Sequence, residues 1–398
     1  MTSTGPILRR GRRASSLVTS TVLAFGLLAA AGPASADARA STPTEPTPTE
    51  PTPTQPTPAT AVQVVEPPVV TGTARYWSTL TSTTGRYEPG TARVTRQWLR
   101  DGAPIRGATA ATYRLVGADV GRRVAVRVVA SADGLEQATT TTGPTTAVAT
   151  APLTVRTAPR ISGTRRYGQV LQASAGRWSS SGLTKRYQWY RDRTVIRGAT
   201  QRRYAIAPAD VGHRLRVRVT VSKAYHRTSS ATAVTAPVRH RRDARRTLTY
   251  SVRSDGARGS LATFRRQAAQ TLADARGWPG AGVRFREVRS GGDFTLVLAR
   301  ASRLTSYSTE CSVLYSCRVG RNVIINEDRW VHTTRVWRSA KGSVRDYRHM
   351  VVNHEVGHFL GRGHLGCPGR GQAAPIMQQQ SKGLHGCRVN PWPRRDEL

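Results

Sequence analysis

Residues 354 to 364 read HEVGHFLGRGH. On a helix His354 and His358 lie one turn apart and point the same way, so both imidazoles can reach one metal ion. Glu355 follows the first of them and can act as a base on a water beside the ion. Gly361 admits the left-handed backbone that ends a helix, and the reversal it allows can return His364 as a third nitrogen ligand. Three protein ligands leave a fourth coordination position open, which is the arrangement of catalytic rather than structural zinc. Met377 follows His364 at a distance suited to a turn passing beneath the metal. The remaining C-terminal histidines, His332, His349 and His385, lack this spacing and read as structural or exposed.

These residues need a helix to carry them. Ser343 and Asp346 form an S-x-x-D capping pattern, which starts a helix that runs to Leu360 and stops at Gly361. Upstream, Leu261, Phe264, Ala268, Leu272 and Ala275 recur at helical spacing, while Thr249 to Arg253, Val283 to Val288, Phe294 to Ala299 and Asn322 to Glu327 read as strands. Strand, helix, strands and helix in that order predict an α+β domain over residues 241–398.

The segments NHEVGHFLGRGHLGCPGRG, APIMQQQ and GCRVNPWP resemble the metzincin superfamily of zinc metallopeptidases and, more widely, a family of secreted actinobacterial domains. The resemblance implies one catalytic Zn2+ held by His354, His358 and His364, with Glu355 as general base and Met377 as the hydrophobic floor of the site. It also implies a protein or peptide substrate that adds as a strand along a sheet edge, for which Asn322 to Glu327 is the expected strand. Leu365 after the third His and the lack of a Tyr after Met377 depart from the better-known subfamilies.

Cys311, Cys317, Cys367 and Cys387 are the chain's four cysteines. Outside the cytoplasm they allow three pairings. Cys311 with Cys317 and Cys367 with Cys387 is the favoured one, since the second bridge closes a loop that carries Met377. A metal-ligand role for Cys367 is the rival.

Upstream of this domain the chain repeats itself. Gly72-Thr73, Gln97-Trp98, Ile105 to Thr109 and Asp119 to Gly121 recur at Gly163-Thr164, Gln188-Trp189, Ile196 to Thr200 and Asp210 to Gly212, every pair offset by 91 positions. Alternating Val124, Val126, Val128 and Leu215, Val217, Val219 mark half-buried strands. Residues 62–150 and 151–240 are therefore expected to be two immunoglobulin-like all-β sandwiches, with Trp98 and Trp189 packed on aliphatic residues in place of a disulfide. Tyr76, Trp77, Tyr167 and Trp178 raise the prospect of a carbohydrate-binding face, against which stands the commoner role of core and edge packing. Residues 37–61 form a Pro/Thr-rich linker of extended character. Residues 1–36 have the basic, apolar and small-residue parts of a secretory signal peptide ending at Ala36. The final RRDEL is similar to an ER-retention tail, a reading discounted for a chain of bacterial character.

The chain has 398 residues, 61 of them basic and 23 acidic, for a formal charge of +38. Nearly all the cations are Arg, and they are spread over the chain rather than gathered in a tail. Without a basic-aromatic motif, this balance points to anionic cell-envelope polymers or acidic protein surfaces as partners and not to nucleic acid. No transmembrane span is expected in the mature chain, and the protein reads as secreted, with cell-wall association as a consequence of its charge. The sequence thus leads to a secreted zinc endopeptidase. Its alternative is an envelope-binding surface protein with a catalytically weak or inactive zinc domain.

Overall fold

A computed structural model describes residues 60–398. The expected signal peptide and almost all of the Pro/Thr linker lie outside the described residues. No helix among them is long and apolar enough to cross a membrane.

The two repeats fold alike, strand for strand. In the first, a four-stranded antiparallel sheet runs Ala103–Pro104, Arg93–Arg100, Val124–Ser131, Ala138–Thr141, and a three-stranded sheet runs Val70–Thr71, Thr79–Ser82, Thr112–Arg114. The second repeats this order with Thr194–Val195, Thr184–Arg191, Leu215–Ser222, Ser229–Val234 and with Arg160–Ser162, Val170–Ser174, Arg203–Ala205. Alternation supplies the core: Val124, Val126 and Val128 turn inward to meet Leu80 and Leu115 from the other sheet, while Arg127 faces water. Trp98 and Trp189 are fully buried opposite Val126 and Val217, and each indole N–H donates to a backbone carbonyl, Ala110 at 2.9 Å and Gln201 at 2.8 Å. A buried tryptophan is thereby satisfied without a neighbouring disulfide.

The repeated Asp-Val-Gly has a structural reason. Asp119 is 0% exposed and accepts from Arg100 Nε at 2.7 Å, Tyr113 Oη at 3.0 Å and the Val116 N–H at 2.7 Å. Asp210 is held in the same way by Arg191, Tyr204 and the Ala207 N–H. Burying a carboxylate is tolerable only with this full set of donors.

The four aromatics weighed as a binding face do not share one. Trp178 is buried, with its N–H on the Ala175 carbonyl. Tyr76 packs on Tyr225 of the second repeat with ring centroids 5.2 Å apart, and its counterpart Tyr167 lies under Arg241 at 4.7 Å. The same tyrosine thus meets the segment that follows its own repeat, once at each junction, leaving Trp77 exposed beside Arg114.

Beyond the repeats lies a five-stranded sheet. Its elements are β1 (Arg246–Asp255), α1 (Leu261–Ala273), β2 (Val283–Glu287), β3 (Phe294–Ala299), β4 (Cys317–Val319), β5 (Asn322–Asn326), α2 (Glu327–His332), α3 (Arg335–Ser339) and α4 (Val344–Phe359). The sheet order is β2-β1-β3-β5-β4, parallel except for the antiparallel β4. Leu296, Leu298, Val323 and Ile325 face α1 and α4 in one core with Phe264, Met350 and Val352. The alternate residues Val297, Ala299 and Ile324 face the other way, toward Leu304 and Cys311. Both long helices therefore cover the same face.

The edge strand differs from the expected one. Asn322–Asn326 is interior, flanked by β3 and β5's hairpin partner β4, and Cys317–Val319 forms the edge. Glu327 leaves the strand to begin α2 and accepts from the N–H groups of Arg258 and Gly259. A tight turn at Gly320, φ +54°, and the Cys311–Cys317 bridge lay the short outer strand on β5.

Candidate metal centre

Helix α4 begins where Ser343 Oγ accepts from the Asp346 N–H at 3.0 Å, and residues 347 and 349–357 are buried against the sheet and α1. At its C-terminus Leu360 is followed by Gly361 at φ +83°, and the Arg362 N–H returns to the Gly357 carbonyl at 2.9 Å. This left-handed reversal brings His364 back over the helix. The Nε2 atoms of His354 and His358 are 3.2 Å apart, and those of His358 and His364 are 3.1 Å apart. No other group of three or more metal-ligating side chains comes together among the described residues. His349 is instead buried at Thr271 Oγ1, 2.9 Å away, and His332 and His385 are exposed.

The outward ring nitrogens bear on what this cluster could hold. His354 Nδ1 lies 2.8 Å from the Ile376 carbonyl and His358 Nδ1 lies 2.9 Å from the Arg362 carbonyl. A carbonyl only accepts, so each Nδ1 carries the proton and donates, and in the neutral ring each Nε2 then presents a lone pair. Burial favours that neutral form: it pushes His354 down to about 3 and lowers His358 and His364, helped by Arg318 beside His358 and by Lys382 beside the other two. Lone pairs aimed at one another repel, and a cation between them resolves the repulsion. The donor set therefore fits a divalent, imidazole-binding metal such as zinc.

Three features fix this arrangement from below. Met377 is 1% exposed, and a side chain at Gly357 would run into its Sδ and into Trp278, so only glycine lets the turn approach the helix this closely. Glu397, 4% exposed, accepts from the N–H groups of Ile376 and Met377 at 2.9 Å each. That clasp holds the carbonyl that orients His354, as an outer partner would align the ring if it held a metal. Cys367–Cys387 closes the loop containing Met377, and Cys311–Cys317 anchors the opposite wall. Among the described residues no cysteine is free, so Cys367 is bridged and is not a ligand. Glu397 and Gly357 went unnoticed in the sequence; glycine between two helical histidines was the available signal for the second, and nothing marked the first.

Glu355 is 5% exposed and lines a cleft of about 810 Å³ together with the three histidines, the edge strand β4 and the loop Gln379–Lys382. Among the described residues no donor is hydrogen-bonded to its carboxyl. Burial alone pushes it up to about 8. A carboxyl so placed holds its proton more tightly than an exposed one.

Comparisons bear on the two parts of the chain separately. Residues 247–392 match the family described as "Protein of unknown function (DUF3152)", a span that contains the sheet, both long helices and the three histidines. No curated protein matches the chain. Among solved structures, the three N-terminal domains of the highly immunogenic outer capsid protein Hoc of bacteriophage RB49 align at 18% identity over 48% of this chain, with a TM-score of 0.20. The chain spans 65% of that structure. The amphioxus IgVJ-C2 molecule aligns at 13% identity over 44% of this chain and 96% of its own, TM-score 0.21. A two-domain fibronectin type III segment of chicken tenascin aligns at 11% identity over 43% and 97%, TM-score 0.22. These neighbours are immunoglobulin- and fibronectin-like all-β domains.

Proposed function

We propose that the protein is a secreted zinc-dependent endopeptidase whose metzincin-like, zincin-type α+β domain follows two immunoglobulin-like spacers. One observation carries the reading: three imidazole rings converge their Nε2 atoms, two of them with Nδ1 held on a carbonyl, in a cleft floored by a buried carboxyl that has no hydrogen-bond partner among the described residues. When bound, zinc supplies Lewis acidity, which makes water a better nucleophile and polarises a carbonyl. His354, His358 and His364 bind it. Glu355 takes a proton from water at a carboxylate oxygen and returns it to the leaving amine. The edge of β4, exposed along the cleft, offers backbone groups to an extended peptide, and the buried α4 excludes bulk water from beneath. Two disulfides suit an oxidising compartment, which supports export.

The test is to measure zinc content by mass spectrometry and chelator-sensitive cleavage of a peptide library by the full chain. Stoichiometric zinc with cleavage that chelation abolishes and zinc restores is expected. Zinc without cleavage would favour an envelope-binding protein instead.

A further inference from the structure

Three cations crowd the cleft that holds the histidines, and none has an ion-pair partner among the described residues. Arg318 stands on β4, Arg362 in the turn between α4 and His364, and Lys382 on the facing loop. Among the described residues none of them has a carboxylate within 4.0 Å, although other arginines of the domain, such as Arg265, Arg276 and Arg394, are paired. Cationic side chains left unpaired in a concave site focus potential there.

Their directions are set by the fold. Arg318 is paired in register with Val323, and Val323 belongs to the core under α1 and α4, so Arg318 projects on the helix side of the sheet, toward the histidines. Cys317 pairs with Ile324 and points to the opposite face, where its bridge to Cys311 packs. Lys382 comes from the other wall, and its Nζ lies 5.5 Å from the Tyr315 ring, which belongs to the loop that leads into β4. The two cations thus approach one opening from either side. Only Glu310, at the rim, and the floor residue Glu355 bring acid to the same lining.

We propose that Arg318 and Lys382, with Arg362 behind them, form a carboxylate-accepting subsite that directs this cleft to acidic peptides. The inference rests on the peptidase reading for its hydrolytic consequence, but the subsite itself requires only binding. Guanidinium and ammonium groups recognise a carboxylate through charge-assisted hydrogen bonds. A Glu or Asp side chain beside the cleaved bond and a peptide's own C-terminal carboxylate share that chemistry.

Full-length protein would be given matched fluorogenic peptides with Glu or Gln next to the cleaved bond, each with a free or amidated C-terminus. In parallel, anisotropy would measure binding of the same peptides to the Glu355→Gln protein at low and high salt. The Glu peptide should exceed the Gln peptide at least tenfold in both kcat/KM and affinity, the advantage shrinking with salt. Arg318→Glu and Lys382→Glu should collapse that ratio, and Arg318→Lys should restore part of it. A preference that follows the free C-terminus instead assigns the same subsite to a terminal carboxylate. Charge-selective binding without any hydrolysis supports the subsite while overturning the peptidase reading. Equal binding and cleavage of the Glu and Gln peptides irrespective of the C-terminus, or a ratio indifferent to both charge reversals, overturns the subsite.

Discussion

In each repeat a buried aspartate meets three donors, whereas the C-terminal domain buries Glu355 beside the histidines, where none of the described residues donates to it. Both kinds of carboxyl are nearly inaccessible, so burial alone does not separate architecture from chemistry. Partners do. Asp119 and Asp210 spend every oxygen on holding a turn, which makes them fixtures of the sandwich. Glu355 opens onto a cleft, and its proton affinity is left to whatever enters. Glu397 and Glu327 fall with the aspartates, since each clasps backbone N–H groups. By this criterion Glu355 stands apart from Glu327 and Glu397, and under the peptidase reading it is the buried acid left for chemistry.

The contrast can be broken by substitution. Glu355→Gln should reduce peptide hydrolysis by roughly 10²–10⁴-fold, with zinc content unchanged and thermal stability equal or higher; a stability loss matching that of an aspartate variant would erase the distinction. Asp119→Ala leaves Arg100 and Tyr113 without their acceptor, and chemical denaturation should show the first repeat weakened by about 3 kcal/mol while hydrolysis is untouched. Glu397→Ala frees the turn that orients His354, so chelator competition should reveal zinc affinity lower by about 10–100-fold.

The smallest effect concerns a buried base. His349 is pushed down to about 4, chiefly by burial and then by the charges of Arg345 and Arg276, against the opposing pull of Asp274 and Asp346. Thr271 Oγ1 already donates to the Gln267 carbonyl and so accepts from His349 Nδ1, which fixes the Nδ1–H tautomer of the neutral ring. Below pH 6.5 the unfolded chain takes up a proton that the folded one refuses, so stability falls as pH drops from 6.5 toward 4. Chemical denaturation at pH 6.5 and 5.5 should record a loss from this group on the order of 1 kcal/mol, and His349→Gln should reduce the slope by that share while the lowered His354, His358 and His364 keep theirs.

How far the sequence could lead depended on the range of each interaction. The three histidines were legible because helical periodicity and one left-handed glycine suffice to converge them. The repeats were legible because the same residues recur in the same order. The edge strand was not: β4 has three residues, too few for alternation to register, and a hairpin pinned by a disulfide displaces the longer, more apolar Asn322–Asn326 to the interior. Tyr76 and Trp77 are adjacent in sequence and yet face a neighbouring repeat and solvent respectively. Glu397 accepts locally from the Arg394 N–H, but its hold on the turn could not be read, because the Ile376 and Met377 N–H groups lie 21 and 20 residues away in the chain and only the fold introduces them.

The two disulfides brace the two walls of one cleft. Cys311–Cys317 ties the loop that ends in the edge strand, and Cys367–Cys387 encloses the turn beneath the histidines. A chain whose thiols are still reduced lacks both covalent ties and keeps these walls in place by strand pairing and packing alone. Under the peptidase reading, the shape of the cleft would then depend on the thiol state of the chain.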